Sequence, residues 1–200
     1  NNGIGMASVG RNVMILPVRV LGKCVGYDSD IQAGMQWAAG ISVPGVPDNP
    51  TPAKVINLSL GGGTGCTTAY QTIVNQVIAR NVTIVASAGN EGLAVAAPAG
   101  CTGVIAVAGV RHAGTKVGYS SLGPEVALSA PAGNCVNTTG ACLNPLLTTT
   151  NTGATTPGAS TYSDSFDASL GTSFSSPLVA GTAALMLSVN PSLTPAQIKS

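Results

Sequence analysis

The residues best suited to chemistry lie in one stretch, Gly171-Thr172-Ser173-Phe174-Ser175-Ser176-Pro177, which runs directly into the apolar segment Leu178 to Leu187. An apolar run of that length reads as a buried helix, so the small residues before it deliver Ser173 to a helix N-terminus. There the free backbone N–H groups and the positive end of the helix dipole favour developing negative charge. A hydroxyl attacking a carbonyl gains most from such a place, because the oxygen that turns negative meets donors already oriented. Pro177 is expected in the first helical turn, where its missing N–H does no harm. A Ser or Thr before a helix also serves as an ordinary cap, so the stretch needs support from the rest of the chain.

That support must come from the elements that position Ser173. Val13 to Leu21, Lys54 to Leu60, Asn81 to Ala86, Val104 to Ala108 and Val126 to Leu128 are short β-branched or aliphatic runs and read as strands. Pro17 argues against a central place for the first of them. Asp30 to Ala39, with Asp30 as cap, and Thr67 to Arg80 have helical spacing between strands, and Thr194 opens a further helix at Pro195. Continuous apolar strands alternating with helices predict an α/β fold in three layers, a mainly parallel central sheet with helices on both faces. In such sheets the site gathers at the carboxyl ends of the strands. Two of those ends are polar or glycine-rich: Asn57-Leu58-Ser59-Leu60-Gly61-Gly62 and Ala86-Ser87-Ala88-Gly89-Asn90-Glu91. Residues 134–169, rich in Thr, Asn, Gly and Ser, read as loops or short hairpins rather than a second domain.

Composition narrows the partners. Only 8% of the residues are charged and the formal net charge is +1, which leaves no electrostatic footprint for nucleic acid. The longest apolar run, Leu178 to Val189, is interrupted by Gly181, Thr182 and Ser188, so no membrane partner is expected. Five cysteines without a CxxC pair, and a single histidine, His112, make zinc a poor reading and disulfides in an oxidising compartment a better one. Cys66 follows the glycine turn of one strand and Cys101 precedes the next but one, so neighbouring strands would bring them together. Cys135 and Cys142 close a short loop. The pairs Cys66–Cys101 and Cys135–Cys142 are therefore expected, with Cys24 left for a partner upstream of Asn1.

Two rival sites fail on spacing. Gly61-Gly62-Gly63-Thr64-Gly65-Cys66 does not complete a dinucleotide fingerprint, and no Gly-Lys-Ser/Thr follows it. No G-x-S-x-G is present, which removes the nucleophile elbow of an α/β-hydrolase.

The string from Gly171 to Gly181 resembles the nucleophile signature of the subtilisin-like serine peptidases, the subtilases, and the resemblance extends in order over the whole chain. It implies a serine endopeptidase in which Ser173 attacks the peptide carbonyl and Asn90 donates to the oxyanion. It implies that Ser59, Leu60 and Gly61 pair with the substrate and form one wall of the specificity pocket. Ala86, Ser87, Ala88 and Gly89 form the other wall, with Glu91 at its base. Asn1 to Met6 is similar to a calcium-binding loop of the family, with the Asn2 side chain and the carbonyls of Ile4 and Met6 as ligands, so structural calcium and no organic cofactor is expected. A second cation site of the family is not expected, because its carboxylate position holds Ala127. The family's Asp and His triad strings do not occur. Both would precede Asn1, so residues 1–200 are expected to be the C-terminal two-thirds or so of a catalytic domain, cut at both ends and inactive alone. The expected parent is a secreted monomer acting on proteins or peptides, with an N-terminal precursor segment as partner. The alternative is a subtilase-like module that binds peptides or proteins without cleaving them.

Overall fold

The computed structural model describes residues 6–23, 25–134, 144–163 and 170–200. Four apolar runs become the strands β1 (Val55–Leu58), β2 (Thr83–Ser87), β3 (Ile105–Val110) and β4 (Val126–Pro131). They pair in the order β1-β2-β3-β4, every pair parallel, with Leu58 opposite Ala86 and Ser87 opposite Val107. All five residues of β2 are buried. A strand covered on both faces shows no alternation, and the polar residues of this one, Thr83 and Ser87, stand at its two ends.

Helices supply the two covers. On one face α1 (Asp28–Ala38) and α2 (Thr68–Ala79) place Ile31, Met35, Tyr70, Val74 and Val77 against Ile56, Ile84, Ala86 and Val104. On the other face α3 (Thr172–Val189) and α4 (Pro195–Lys199) place Leu178, Val179, Ala180 and Ile198 against Val85, Ile105 and Val107. The alternation along β2 thus assigns Ile84 and Ala86 to one layer and Val85 to the other. Each fully buried aliphatic side chain contributes roughly 1.5–3 kcal/mol, so a one-residue slip of β2 would exchange both layers at once. Thr67 caps α2 by accepting from the backbone N–H of Tyr70, and Thr194 with Gln197 forms a capping box on α4. The expected hairpin region contains one antiparallel pair, β5 (Thr148–Asn151) with β6 (Ser160–Ser163).

Four expectations are corrected. Val13 to Leu21 is extended but joins no strand of the described sheet. Val18 and Val20 pack on the α1 side of the core, where Val20 lies against Gly34, while Met14 and Ile15 are 94% and 79% exposed. An apolar run fixes an extended backbone, whereas pairing also needs an available neighbour. Asp30 is not the cap of α1. The helix begins at Asp28 after Tyr27, and both aspartates sit in the first turn, where the dipole favours them. Pro177 lies inside α3 rather than in its first turn, because the helix already starts at Thr172. Finally, α3 runs unbroken through Gly181 and Thr182 and is long and apolar enough to span a membrane by length and composition, with a mean hydropathy of 1.3. It packs against all four strands of the sheet and forms one layer of this fold.

Candidate active site

The start of α3 is fastened by its own hydroxyls, each to a different part of the sheet. Thr172, Ser175 and Ser176 are all fully buried. The Thr172 hydroxyl donates to the carbonyl of Gly89 at 3.2 Å and to Oδ1 of Asn90 at 2.9 Å, in the loop leaving β2. Ser175 Oγ donates to the carbonyls of Ala130 and Pro131 in β4, at 3.0 and 3.1 Å. Ser176 Oγ donates to Oδ1 of Asn57 in β1 at 2.6 Å. Small hydroxylated residues are needed because the helix end sits too close to the strands for larger polar groups, and each buried hydroxyl requires a partner. Ser173, between them, is half-buried, and among the described residues its Oγ reaches only the carbonyl of Ser59, at 3.5 Å.

The backbone donors of this helix end fall into two groups. Gly171 N–H donates to the carbonyl of Ala132 at 2.8 Å and to the Tyr119 hydroxyl at 3.1 Å. Thr172 N–H donates to Oδ1 of Asn90 at 2.8 Å, and Phe174 N–H to the carbonyl of Gly171 at 3.0 Å. Among the described residues the N–H of Ser173 has no acceptor. Asn90 is in the same condition. Its Oδ1 is held twice by Thr172, which leaves Nδ2 with no acceptor among the described residues. A Cβ on Gly171 would lie 3.3 Å from that Nδ2, and Gly171 has φ +133°, so glycine is required there on both counts. Two unspent donors, the Ser173 N–H and Asn90 Nδ2, therefore belong to residues that line one pocket at the positive end of an 18-residue helix. This arrangement can hold an oxygen that acquires negative charge.

A pocket of about 130 Å³ opens next to Ser173. Its lining contains Leu60, Gly61, Ser87, Ala88, Gly89, Asn90 and Glu91 from the expected set, together with Gly62 and Ala96. The two walls are tied by backbone bonds, Gly62 N–H to Ala97 carbonyl at 3.2 Å and Ala97 N–H to Thr64 carbonyl at 3.1 Å. Ser87 Oγ also donates across to the carbonyls of Leu58 and Leu60. Ala86 is not part of the lining; it is fully buried among the side chains of the α1 and α2 layer. Ser59 lies beside Ser173 rather than in the pocket, donating from Oγ to the Ser173 carbonyl at 2.7 Å. The Glu91 carboxylate accepts from the N–H of Asn90 at 2.8 Å and from the Ser121 hydroxyl at 3.5 Å, so Oε2 holds the loop in shape. Gly89, at φ +111°, leaves the room for it; a Cβ there would come within 2.7 Å of that oxygen.

Sequence reasoning did not single out Thr172, Ser176, Asn57 or Tyr119. The run of hydroxylated residues in Thr172-Ser173-Phe174-Ser175-Ser176 was the available signal. The Tyr119 hydroxyl donates to the carbonyls of Ala132 and Gly133, at 2.5 and 3.1 Å, and burial raises its pKa above the usual tyrosine value.

A family model described as the subtilase family matches residues 1–200. The chain belongs to the subtilase family. It is 44% identical over its whole length to an extracellular protease of Xanthomonas campestris pv. campestris and 39% identical over 99% of its length to an extracellular basic protease of Dichelobacter nodosus. It spans 32% and 31% of the length of those two proteins. Among solved structures, it matches a protease from Pseudoalteromonas arctica with a TM-score of 0.92 at 40% identity, covering all of this chain and 57% of that one. It also matches a cold-adapted subtilisin-like serine proteinase with a TM-score of 0.70 at 29% identity, over 96% of this chain and 59% of that one.

In this subtilase the expected bridge Cys66–Cys101 is present, with the Cα atoms 4.9 Å apart. Cys24 and the pair Cys135–Cys142 lie outside the described residues, as do Asn2 and Ile4 of the expected calcium loop. Of that loop only Met6 is described, and it is exposed. No group of three His, Cys, Asp or Glu side chains gathers among the described residues. His112 is exposed in the turn after β3, closed by the bond from Gly114 N–H to the Arg111 carbonyl. Asp28 accepts from the Tyr70 hydroxyl and Asp48 from the Ser42 hydroxyl, while Asp164 and Asp167 lie outside the described residues.

Proposed function

We propose that this chain carries the nucleophile, the oxyanion donors and the specificity pocket of a secreted subtilisin-like serine endopeptidase. The observation that carries the reading is the pair of unspent donors, Ser173 N–H and Asn90 Nδ2, on two residues that line one pocket, with Ser173 half-buried. Ser173 Oγ attacks the carbonyl carbon of the scissile peptide and the carbonyl oxygen becomes the oxyanion between those donors. The proton of Ser173 passes to a histidine base and from it to the leaving amine. In this reading that histidine and its orienting aspartate come from residues preceding Asn1. Among the described residues the outer edge of β1 is unpaired, and this edge with the exposed side chains of Met14 and Ile15 supports an additional strand beside this sheet. The pocket combines the Glu91 carboxylate with the apolar surfaces of Leu60, Ala88 and Ala96, and suits a basic or a large hydrophobic residue before the cleaved bond. Secretion is supported by the disulfide and by relatives named as extracellular proteases. The parent acts as a monomer on proteins or peptides, after release from an N-terminal segment of its precursor.

A fluorophosphonate probe tests the assignment directly. The full-length protein should be labelled stoichiometrically at Ser173 and should lose both labelling and peptide cleavage in Ser173→Ala. Residues 1–200 expressed alone should not be labelled, because a serine without a base is a poor nucleophile at neutral pH. Peptide binding without labelling in the full-length protein would favour the non-catalytic module instead.

A further inference from the structure

Pro177 interrupts the hydrogen-bond ladder of α3 at one defined place. In an α-helix the carbonyl of residue i accepts from the N–H of residue i+4. For Ser173 that residue is Pro177, which has no N–H to give. The proline thus leaves unfilled the carbonyl of the nucleophile itself. The structure fills that carbonyl from outside the helix. Ser59 Oγ, just past the end of β1 and 114 residues away in sequence, donates to it at 2.7 Å. Ser59 is in turn oriented by Asn57, whose Nδ2 donates to Ser59 Oγ at 2.9 Å. Asn57 is itself held by Ser176 Oγ, which donates to Asn57 Oδ1 at 2.6 Å. The bonds form a closed ring from α3 to β1 and back, with donors running in one sense: Ser176 to Asn57, Asn57 to Ser59, Ser59 to Ser173.

From this ring we infer that Ser59 is a positioning residue for the nucleophile, acting through the carbonyl that Pro177 leaves open. The inference rests on the peptidase reading above. A serine at a helix end has its φ and ψ set only by the bonds of its own two peptide groups, and its N–H must stay free for the oxyanion. Its carbonyl is then a further handle by which the fold can fix the nucleophile, beside the contact of Ser173 Oγ with the Ser59 carbonyl at 3.5 Å. Filling that carbonyl from β1 rather than from the next helical turn ties the nucleophile to the strand end that also supplies Leu60 and Gly61 to the pocket. The distance between the attacking oxygen and the bound peptide is then set by one bond between the two elements. A misplacement on the order of 1 Å at such a point is enough to slow the chemical step about a hundredfold.

The inference separates from a simple packing role by a double-mutant cycle in the full-length enzyme. Ser59→Ala leaves the Ser173 carbonyl without a partner and should lower kcat about tenfold, with KM within about twofold of the wild type, as expected for one lost hydrogen bond felt in the chemical step. Ser59→Thr keeps the hydroxyl and should recover most of that loss. Pro177→Ala restores the N–H of residue 177, which can close the helical bond to the Ser173 carbonyl. In that background the Ser59→Ala penalty should shrink below about threefold. An equal penalty in the wild-type and Pro177→Ala backgrounds would show that Ser59 does not act through this carbonyl and would overturn the inference. So would a rise in KM with unchanged kcat, which would make the Ser59 hydroxyl a substrate contact. Fluorophosphonate labelling of Ser173 in the wild type is measured alongside. If the wild type is not labelled, it is the peptidase reading that falls, and the positioning role falls with it. Circular dichroism and thermal unfolding of each variant confirm that kcat is compared among folded proteins.

Discussion

Asn90 and Thr172 hold each other in a fixed sense: the amide oxygen of Asn90 accepts both the backbone N–H and the hydroxyl of Thr172, at 2.8 and 2.9 Å. Because the oxygen is spoken for, the amide nitrogen is the end left to donate, in a pocket that Asn90 and Ser173 line together. A side chain that contributes only when charge develops on the substrate should affect kcat and leave KM nearly unchanged. In the intact enzyme Asn90→Ala should lower kcat by about 10²–10³, a magnitude carried over from the oxyanion asparagine of subtilisin, a member of the same family. Thr172→Val removes one of the two bonds that orient the amide and should lower kcat about tenfold. Steady-state kinetics on one peptide substrate compares the variants, with His112→Ala expected to match the wild type. A strong rise in KM for Asn90→Ala, with kcat intact, would make Asn90 a substrate-binding residue.

The Cys66–Cys101 bridge joins the loop after β1 to the loop before β3, next to the Gly62–Ala97 bonds that close the pocket walls. It spans 35 residues, and a crosslink of that length stabilises by about 3–4 kcal/mol on the chain-entropy account. Replacing both cysteines by serine should lower the urea midpoint of the full-length protein accordingly. It should also raise KM more than it lowers kcat, since the walls loosen while the start of α3 stays fastened. An unchanged midpoint would show that other contacts already fix these loops.

One buried tyrosine, Tyr70, and one half-buried tyrosine, Tyr119, set a limit at alkaline pH. Tyr70 titrates well above its ordinary value, chiefly through burial, then through its hydrogen bond to Asp28 and the charge of that carboxylate. Tyr119 is raised by burial, partly offset by the N–H of Gly171. A pKa higher in the folded than in the unfolded state means that the unfolded chain loses its proton first. The stabilisation is complete below the unfolded tyrosine value of about 10 and is lost as pH rises through the folded values. The melting temperature should therefore hold up to about pH 10 and decline above it. In Tyr70→Phe the decline should be shallower. A melting temperature independent of pH between about 9 and 12 would contradict the burial of both hydroxyls.

Much of this protein could be read in advance because it depends on local pattern. The apolar runs at Val55, Thr83, Ile105 and Val126, separated by helical periods, were enough for a parallel sheet between helices, although only the central strands β2 and β3 are buried along their length while β1 alternates and β4 is largely exposed. The family resemblance and the place of Ser173 at a helix N-terminus followed from one string, Gly171 to Gly181. Cys66–Cys101 followed from strand adjacency alone.

What the tertiary structure decided are relationships between residues far apart in the chain. Val13 to Leu21 has the composition of a strand, yet composition cannot say which neighbour an extended run will pair with, and it packs against α1 outside the described sheet. Pro177 looked like a first-turn residue because its meaning depends on where α3 begins, and that is set by Thr172 bonding to Asn90, 82 residues earlier. Ala86 shares a strand end with the pocket residues but points into the core, since side chains along a strand alternate and the register with β1 decides which of them face the site. The same holds for Asn57, Ser59 and Ser176. Each is an ordinary polar residue in its own segment, and it becomes part of one hydrogen-bonded ring only when β1 is laid beside the first turns of α3.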